Sequence, residues 1–185
     1  MSLLQNKTGI VMGVANSRSI ATGISNDLHA QGARLGFSYL PDPTGKMKQR
    51  VEKAISHLHS DFIEPCDVNK DEDIATFFAK VKETYGKIDF LIHSIAYAPL
   101  EDIRCSTKDA SRKGFLTAME SSAYSFIATC RAAAPLMKDG GSCLTLSYYG
   151  GEKVIAGYNL MGVAKAALEA SMRYLAYDLG PQSIR

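Results

Sequence analysis

A tyrosine and a lysine in the last part of the chain are spaced so that they can act together on one substrate. Tyr158 and Lys165 lie seven residues apart, in a segment whose apolar residues have helical spacing. At about 100° per residue, seven steps return a side chain to within roughly 20° of its starting direction. A phenol has a pKa of about 10, and a neighbouring ammonium stabilises negative charge that develops at its oxygen. A buried phenol and a solvated amine would give the same pattern, so its meaning depends on the surrounding elements.

The segment before this pair predicts a buried strand. Residues 142–146 are a short, mainly apolar run that leads into Ser147 and Tyr148. Its length and composition are typical of a strand that is covered on both faces. Ligands of an open parallel sheet bind beyond the carboxyl ends of its strands, so Tyr158 and Lys165 are expected beside a ligand site.

Strands and helices alternate along the whole chain without repeats or a linker. The predicted strands are residues 8–14, 33–39, 61–66, 88–94 and 142–146, and the predicted helices are residues 19–31, 46–58, 71–85 and 159–179. Between them we expect an irregular stretch at 95–106 and a helical region to Met137, broken near Gly114. This alternation predicts right-handed βαβ units. We interpret residues 1–185 as one α/β domain, a doubly wound Rossmann-type parallel sheet with helices on both faces.

Length, composition and charge exclude several classes of protein. The 185 residues, 46% apolar and 22% charged, suit one globular domain. A net charge of +2 without a basic cluster indicates neither nucleic acid nor an anionic membrane as a partner. No apolar stretch approaches the roughly 20 residues that span a bilayer, and the first residues lack the apolar region of a signal peptide.

The cysteines and histidines show no metal-binding pattern. The four cysteines have no CxxC spacing, and the four histidines are not arranged as ligands. Cysteines without such spacing usually serve as small buried apolar residues, which indicates a reducing compartment. We therefore expect a cytoplasmic protein without a bound metal.

The turn after the first predicted strand is where a doubly wound sheet would hold a dinucleotide pyrophosphate. Residues 13–23 lack the G-x-G-x-x-G spacing. Gly13 allows close approach of the backbone, Ser19 supplies a hydroxyl and an amide at the helix start, and Gly23 permits tight packing of the helix. A plain turn with Ser19 as helix N-cap explains the same residues, and the turn alone leaves both interpretations open.

Two further strand ends carry suitable residues. Asp67 follows the third predicted strand, where a carboxylate can accept a hydrogen bond from an adenine amino group or cap the next helix. Residues 93–96 leave the fourth strand with small side chains that give room for a flat ring, or simply end the strand. Since all these positions meet at one edge of the sheet, together they favour a dinucleotide site.

Several motifs of the chain resemble one known family over its whole length. The matching segments are Gly13-Val14-Ala15 with Ser19-Ile20-Ala21, Cys66-Asp67-Val68, His93-Ser94-Ile95-Ala96, and Leu144-Thr145-Leu146-Ser147-Tyr148 with Tyr158 and Lys165. In these the chain resembles the bacterial enoyl-acyl-carrier-protein reductases of type II fatty acid synthesis, a divergent branch of the short-chain dehydrogenases. The six residues between Tyr158 and Lys165 are the distinguishing mark, because ordinary short-chain dehydrogenases use Tyr-x-x-x-Lys and position 161 here is Met.

The resemblance implies hydride transfer from NADH to the β-carbon of a trans-2-enoyl thioester carried by an acyl-carrier protein. Tyr158 would hydrogen-bond the thioester carbonyl oxygen and stabilise the enolate. Lys165 would bind the nicotinamide ribose. Tyr148 would line the acyl site and assist proton delivery, and Ala98 would lie beside the substrate. The implied assembly is a homotetramer.

The resemblance also assigns the cofactor site. It implies cofactor-binding roles for Gly13, Ser19, Ile20, Leu40, Asp67, Val68, Ser94, Ile95 and Lys165. Leu40 stands where family members that prefer NADH often carry Gln. No Arg or Lys within residues 39–43 could pair with a 2′-phosphate, and Asp42 would repel it, so we expect NADH.

The chain stops at residues 183–185, where the family begins its next strand. We therefore expect a sheet truncated at its carboxyl end, without the last strands and the substrate lid, and with an open edge beside the fifth strand. Two alternatives to the enoyl reductase remain: a short-chain dehydrogenase that acts on a carbonyl, and a non-catalytic NAD-binding protein.

Overall fold

The strands of the protein form one parallel sheet, which a computed structural model describes within residues 2–185. The strands are β1 (Thr8–Met12), β2 (Arg34–Tyr39), β3 (Ile63–Pro65), β4 (Phe90–His93) and β5 (Ser142–Thr145). Their order across the sheet is β3-β2-β1-β4-β5, and every neighbouring pair is parallel. The order reverses between β1 and β4, which is the point where doubly wound sheets bind ligands. The predicted Rossmann-type architecture is confirmed.

Helices connect the strands and cover the sheet. They are α1 (Ile20–Ala30), α2 (Lys46–Ile55), α3 (Asp71–Tyr85), α4 (Leu100–Arg104), α5 (Arg112–Met119), α6 (Ser125–Ala133) and α7 (Asn159–Leu179). A π-helical turn at Glu120–Tyr124 joins α5 to α6. None of the helices described for residues 2–185 is long and apolar enough to cross a membrane.

Alternate residues of the central strand β1 pack into two separate hydrophobic cores. Ile10 and Met12 pack on the side of α3, α6 and α7, whereas Val11 packs on the side of α1 and α2. All three are fully buried. Because successive strand residues point to opposite faces, this division shows that the sheet is covered on both sides, as the near-continuous apolar strands predict.

The connection between β4 and α6 differs from the sequence-based expectation. The stretch predicted to be irregular contains the short helix α4, and the helical region is not broken at Gly114, which lies in the first turn of α5. The Ser111 hydroxyl caps α5 by accepting from the Gly114 N–H at 2.9 Å, and the Asp102 carboxylate accepts from the Ser111 N–H at 2.6 Å. A Cβ at position 114 would collide with Asp102, so this glycine permits close packing rather than ending a helix.

The last three described residues lie beside β5. The Cys143 N–H donates to the Arg185 carbonyl at 2.7 Å, and the Arg185 N–H donates to the Gly141 carbonyl at 2.9 Å. The edge of β5 that was expected to be open is therefore covered along its first residues, whereas Leu144, further along the strand, is 42% exposed.

Candidate active site

A cavity of about 610 Å³ lies at the carboxyl ends of β1 to β4; we call it the strand-end cavity. Six of the predicted cofactor-binding residues line it: Gly13, Leu40, Asp67, Val68, Ser94 and Ile95. They come from four different strand ends that are distant in sequence. Parallel pairing brings these ends to one edge of the sheet, which is why the cavity forms there.

The turns after β1 and β4 touch at this edge. Gly13 has a φ of +102°, a conformation that side chains other than glycine rarely adopt. A Cβ at this position would also overlap the Ser94 carbonyl. The glycine therefore allows the turns after β1 and β4 to come into direct backbone contact at the edge of the strand-end cavity.

The start of α1 is organised by Ser19, though not in the way that an N-cap would be. Its hydroxyl donates to the Asn16 carbonyl at 2.7 Å and accepts from the Ala15 N–H at 3.4 Å, and it makes no capping bond to α1. Ser19 thus fixes the turn that leads from β1 to the helix N-terminus. Ile20, the first residue of α1, is 68% exposed.

Asp67 stabilises its own loop. Its carboxylate accepts hydrogen bonds from the backbone N–H and the side-chain amide of Asn69, each at 3.1 Å. The alternative role as a cap for α3 is not observed, because the N-cap position of that helix is Lys70. The carboxylate lines the strand-end cavity, where it can accept a further hydrogen bond.

A second cavity of about 490 Å³, the tyrosine cleft, adjoins the first. Its lining includes Ile20, Tyr148, Tyr158 and Lys165 together with residues 94–96, 146–147 and 155–157. Residues 94–96 also line the strand-end cavity, so the two cavities share one wall. A ligand that fills both would pass along the loop after β4.

The two tyrosines of the cleft are in contact. The ring centroids of Tyr148 and Tyr158 are 4.6 Å apart and the rings are inclined by 62°, an edge-to-face arrangement. Burial, with a smaller contribution from Tyr148, raises the pKa of the Tyr158 phenol. Tyr158 is therefore protonated at neutral pH and can donate a hydrogen bond to an oxygen in the cleft.

Lys165 is held at the bottom of the same cleft. Its side chain is 6% exposed, and its Nζ donates to the Leu146 carbonyl at 2.6 Å, beyond the end of β5. Burial lowers the pKa of Lys165, which Glu169 partly offsets. Glu169 in turn accepts a hydrogen bond from the Ser147 hydroxyl. Two of the three Lys165 N–H donors remain for a ligand.

Ala98 is the one predicted substrate-binding residue that lines neither cavity. It is 6% exposed and packs in a small apolar cluster with Ala118, Leu160, Met161 and Ala164. Its role beside the substrate stays a prediction.

Sequence reasoning missed a polar layer beneath the shared wall. His93 is fully buried between Thr145 and Ser125, and Ser121 and Ser122 of the π-helical turn are also buried. Ser122 accepts from the Tyr97 N–H at 2.9 Å and donates to the Tyr97 carbonyl at 3.0 Å. The sequence feature that could have indicated this layer is a group of three serines, Ser121, Ser122 and Ser125, at positions i, i+1 and i+4 of a predicted helical region.

Metal ligands are not brought together in the part of the chain that is described. Within residues 2–185, no three His, Cys, Asp or Glu side chains are close enough to hold a metal ion.

The fold and the two adjoining cavities define a Rossmann-type nucleotide-binding protein. Residues 13–185 match the family model described as enoyl-(acyl carrier protein) reductase, and the chain belongs to that family. The enoyl-(acyl-carrier-protein) reductase (NADH) of Nostoc sp. is 47% identical over 98% of this chain and 70% of the relative.

Solved structures of related proteins agree closely with this one. The Anaplasma phagocytophilum reductase in complex with NAD has a TM-score of 0.94 at 44% identity, over 98% of this chain and 68% of that one. The Bacillus cereus reductase with NADP+ and indole naphthyridinone has a TM-score of 0.95 at 46% identity, over 100% of this chain and 72% of that one. Both structures are described as cofactor complexes.

Proposed function

We propose that the protein reduces the trans-2 double bond of an enoyl thioester on acyl-carrier protein with NADH, the last reduction of each cycle of fatty acid elongation. The observation that carries this proposal is that Tyr158 and Lys165 line one cleft, which shares a wall with the strand-end cavity. A hydrogen-bond donor for the substrate and an ammonium for the cofactor thus lie beside a cavity of dinucleotide size. The names of the relatives state the same activity.

The strand-end cavity fits a dinucleotide because it lies along four strand ends at the point where the strand order reverses. Gly13 brings the turns after β1 and β4 together there, and the N-terminus of the 11-residue helix α1, at the adjoining tyrosine cleft, favours an anion. Asp67 and Val68 line the adenine side, and Ser94 and Ile95 line the wall toward the tyrosine cleft. When bound, the reduced nicotinamide supplies the hydride.

The remaining chemistry belongs to three side chains. Tyr158 donates a hydrogen bond to the thioester carbonyl oxygen and stabilises the negative charge that develops on it. Lys165 binds ribose hydroxyls with the donors that Leu146 leaves free, and its charge favours the enolate. Tyr148, in contact with the Tyr158 ring and 49% exposed, borders the acyl chain and the path of the proton.

NADH is the proposed cofactor because of the charge at the start of α2. The Asp42 carboxylate accepts hydrogen bonds from the Thr44 hydroxyl, from the Met47 N–H at 3.1 Å and from the Lys46 N–H at 3.3 Å. The Thr44 bond and the backbone donors lower the pKa of Asp42, which keeps it ionised. A 2′-phosphate near Leu40 would meet this negative charge, and the helix N-terminus that attracts anions is already occupied.

The test is the oxidation of NADH by the purified protein with crotonyl-CoA as a soluble enoyl thioester. We expect loss of NADH absorbance that depends on both the protein and the thioester. Turnover of ketones without turnover of enoyl thioesters would favour a carbonyl reductase. Binding of NADH without turnover of either substrate would favour a non-catalytic NAD-binding protein.

The homotetramer implied by the resemblance is also part of this proposal. Exposed aromatic side chains on α7 support it: Tyr174 is 75% exposed and Tyr177 is 82% exposed. Light scattering in solution tests it, and a monomer would contradict it.

We place the enzyme in the cytoplasm on the chemistry of its cysteines. All four are free thiols in the structure, as is usual in a reducing compartment. Cell fractionation with an antibody against the protein tests this placement.

A further inference from the structure

A chain of buried hydrogen bonds runs beneath the wall that the two cavities share. We define the His93 network as Thr145, His93, Ser125 and the Ser121 carbonyl. The Thr145 hydroxyl and His93 Nδ1 are 3.1 Å apart, His93 Nε2 and the Ser125 hydroxyl are 2.9 Å apart, and the Ser125 hydroxyl donates to the Ser121 carbonyl at 2.7 Å. His93 and Ser125 are fully buried. The network therefore joins β4, β5 and the π-helical turn, with its centre fully buried and only Thr145 partly exposed.

The contacts of Ser125 indicate which nitrogen of the histidine carries the proton. A serine hydroxyl has one proton, and that of Ser125 is given to the Ser121 carbonyl. Ser125 can therefore only accept from His93, which places the imidazole proton on Nε2 and leaves Nδ1 to accept from Thr145. Burial, and to a smaller extent the charge of Lys165, lowers the pKa of His93 to about 3 and keeps the ring neutral.

The network ends at residues that face the proposed cofactor. His93 and Thr145 are register partners in the sheet, and the next residue on each strand has a place in the site. Ser94 lines both cavities, and Leu146 accepts from Lys165 Nζ. A shift of the imidazole would therefore move both of these positions together.

At its other end the network reaches the adenine side of the strand-end cavity. The Ser121 hydroxyl, which lines this cavity, donates to the Asn69 side-chain oxygen at 2.8 Å, and the Asn69 amide donates to Asp67. Hydrogen bonds thus continue from the end of β5, through the π-helical turn, to the loop after β3. π-helical turns are rare in proteins, and those that do occur are often found at functional sites.

We propose that His93, as the neutral Nε2–H tautomer, is a positioning residue for cofactor binding. With Thr145 and Ser125 it holds the backbone after β4 and β5 in the arrangement that the dinucleotide needs. An imidazole buried on an apolar face costs free energy unless both nitrogens are paired, and here both are. This inference rests on the proposed use of NADH, but it concerns binding and not the hydride transfer itself.

A pair of matched serines tests the proposal. Ser125 and Ser25 are both fully buried and both donate to the carbonyl four residues earlier at 2.7 Å, but only Ser125 also receives a bond from a histidine. We expect Ser125→Ala to raise the dissociation constant of NADH about tenfold, as one unpaired buried donor would. Ser25→Ala should leave it within about twofold. At saturating NADH, kcat should change little in either variant.

Three further variants and one spectroscopic measurement complete the test. Thr145→Val keeps the shape of the side chain but removes the donor to Nδ1, and should weaken NADH binding in the same way. His93→Gln, which can still donate toward Ser125, should recover part of the affinity that His93→Phe loses. Nitrogen NMR of the histidine ring should show a protonated Nε2 and a bare Nδ1.

The outcomes separate this inference from the proposed function. If the wild-type protein binds NADH but Ser125→Ala and Thr145→Val bind it equally well, or if Nδ1 carries the proton, the positioning role is overturned. If the wild-type protein binds NADH but turns over no enoyl thioester, the proposed function fails while the positioning of the cofactor can still be measured by titration.

Discussion

The strand-end cavity and the tyrosine cleft are built in different ways. The first is formed by four strand ends, with close backbone contact at Gly13 and a hydrogen-bonded layer beneath it. The second is formed by α7 and the loop of residues 147–158, in which Tyr148 and Tyr149 are about half exposed and Val154 is fully exposed. The strand-end cavity is thus built mainly from strand ends, whereas Tyr148 and Tyr158 of the tyrosine cleft lie on a loop and Lys165 lies on α7.

This difference indicates that the two regions have different roles, one in holding a ligand and the other in chemistry. The sheet presents small residues and backbone atoms whose positions are fixed by neighbouring strands, which suits a large ligand held in one pose. The loop of residues 147–158 supplies Tyr148 and Tyr158, whose phenols we propose to act on the substrate. Lys165 lies at the boundary, since it is buried against β5 but also lines the tyrosine cleft. The following experiments separate the two regions.

Replacement of Tyr158 by Phe should have the largest effect and should be confined to catalysis. The loss of one donor to a developing oxyanion lowers kcat by about 10²- to 10³-fold. The dissociation constant of NADH should stay within about twofold, because the cofactor is held by the strand-end cavity. Steady-state kinetics and fluorescence titration measure the two quantities.

Tyr177→Phe is the matched control, because this tyrosine lies on α7, the helix that begins directly after Tyr158, and is 82% exposed. It should keep full kcat. If Tyr158→Phe weakened NADH binding as strongly as it lowered kcat, the division between the two regions would be wrong.

Replacement of Lys165 by Ala should affect both regions. A charge-assisted hydrogen bond contributes about 1.5–3 kcal/mol, so the loss of one raises the dissociation constant of NADH by roughly 10- to 150-fold. Lys153→Ala is the control, because it removes an exposed lysine that lies over the Tyr149 ring. This variant should change the dissociation constant of NADH little. An unchanged dissociation constant for Lys165→Ala would rule out its role in cofactor binding.

The choice between NADH and NADPH concerns the strand-end cavity alone. We expect kcat/KM to favour NADH by at least about tenfold, since a phosphate near Asp42 meets a like charge. Asp42→Asn should lower the ratio of kcat/KM for NADH to kcat/KM for NADPH. Asp139→Asn, which changes an exposed carboxylate paired with Lys87, should leave this ratio unchanged. A wild-type preference for NADPH would contradict the proposed cofactor.

A last prediction is a change of stability with pH that comes from the layer beneath the shared wall and leaves both cavities unchanged. In the unfolded chain His93 takes up a proton below a pKa of about 6.5, but in the folded protein it does so only near 3. The unfolded state binds more protons between these values, so the free energy of unfolding falls as the pH is lowered from about 6.5 to about 3.

Urea unfolding of the wild type and of His93→Gln measures this contribution. The histidine adds a slope of at most about 1.4 kcal/mol per pH unit, which the variant should lack. Equal slopes for the two proteins between pH 6.5 and 5 would show that His93 takes up protons equally in both states.

Much of the sheet could be predicted because each strand lies in a short, mainly apolar segment that is bounded by turn residues. The five predicted strands and four of the predicted helices occur, with shorter strands in the structure. The predicted break near Gly114 occurs at residues 110–111, and Gly114 itself lies inside α5, since a glycine can mark a helix end or a close contact. Only the position of Asp102, twelve residues earlier in the chain, decides between these two.

The predicted site residues gather largely as expected, because the carboxyl ends of parallel strands must meet. The supporting layer was not predictable. His93 contacts residues that are 52 and 32 positions away, and nothing in the residues next to it reveals those partners. A buried histidine with both nitrogens paired has the same local sequence as one in a strand without any polar contact.

The hydrogen bond between Lys165 and the Leu146 carbonyl has a consequence for affinity. A free lysine side chain that becomes ordered on binding loses about 0.5–1.5 kcal/mol of rotamer entropy. Here the Leu146 carbonyl and burial in the fold hold the Lys165 side chain in place, so most of that rotamer entropy is lost during folding. Enthalpy measured for NADH binding should therefore reflect new bonds made by an ammonium that is already in place.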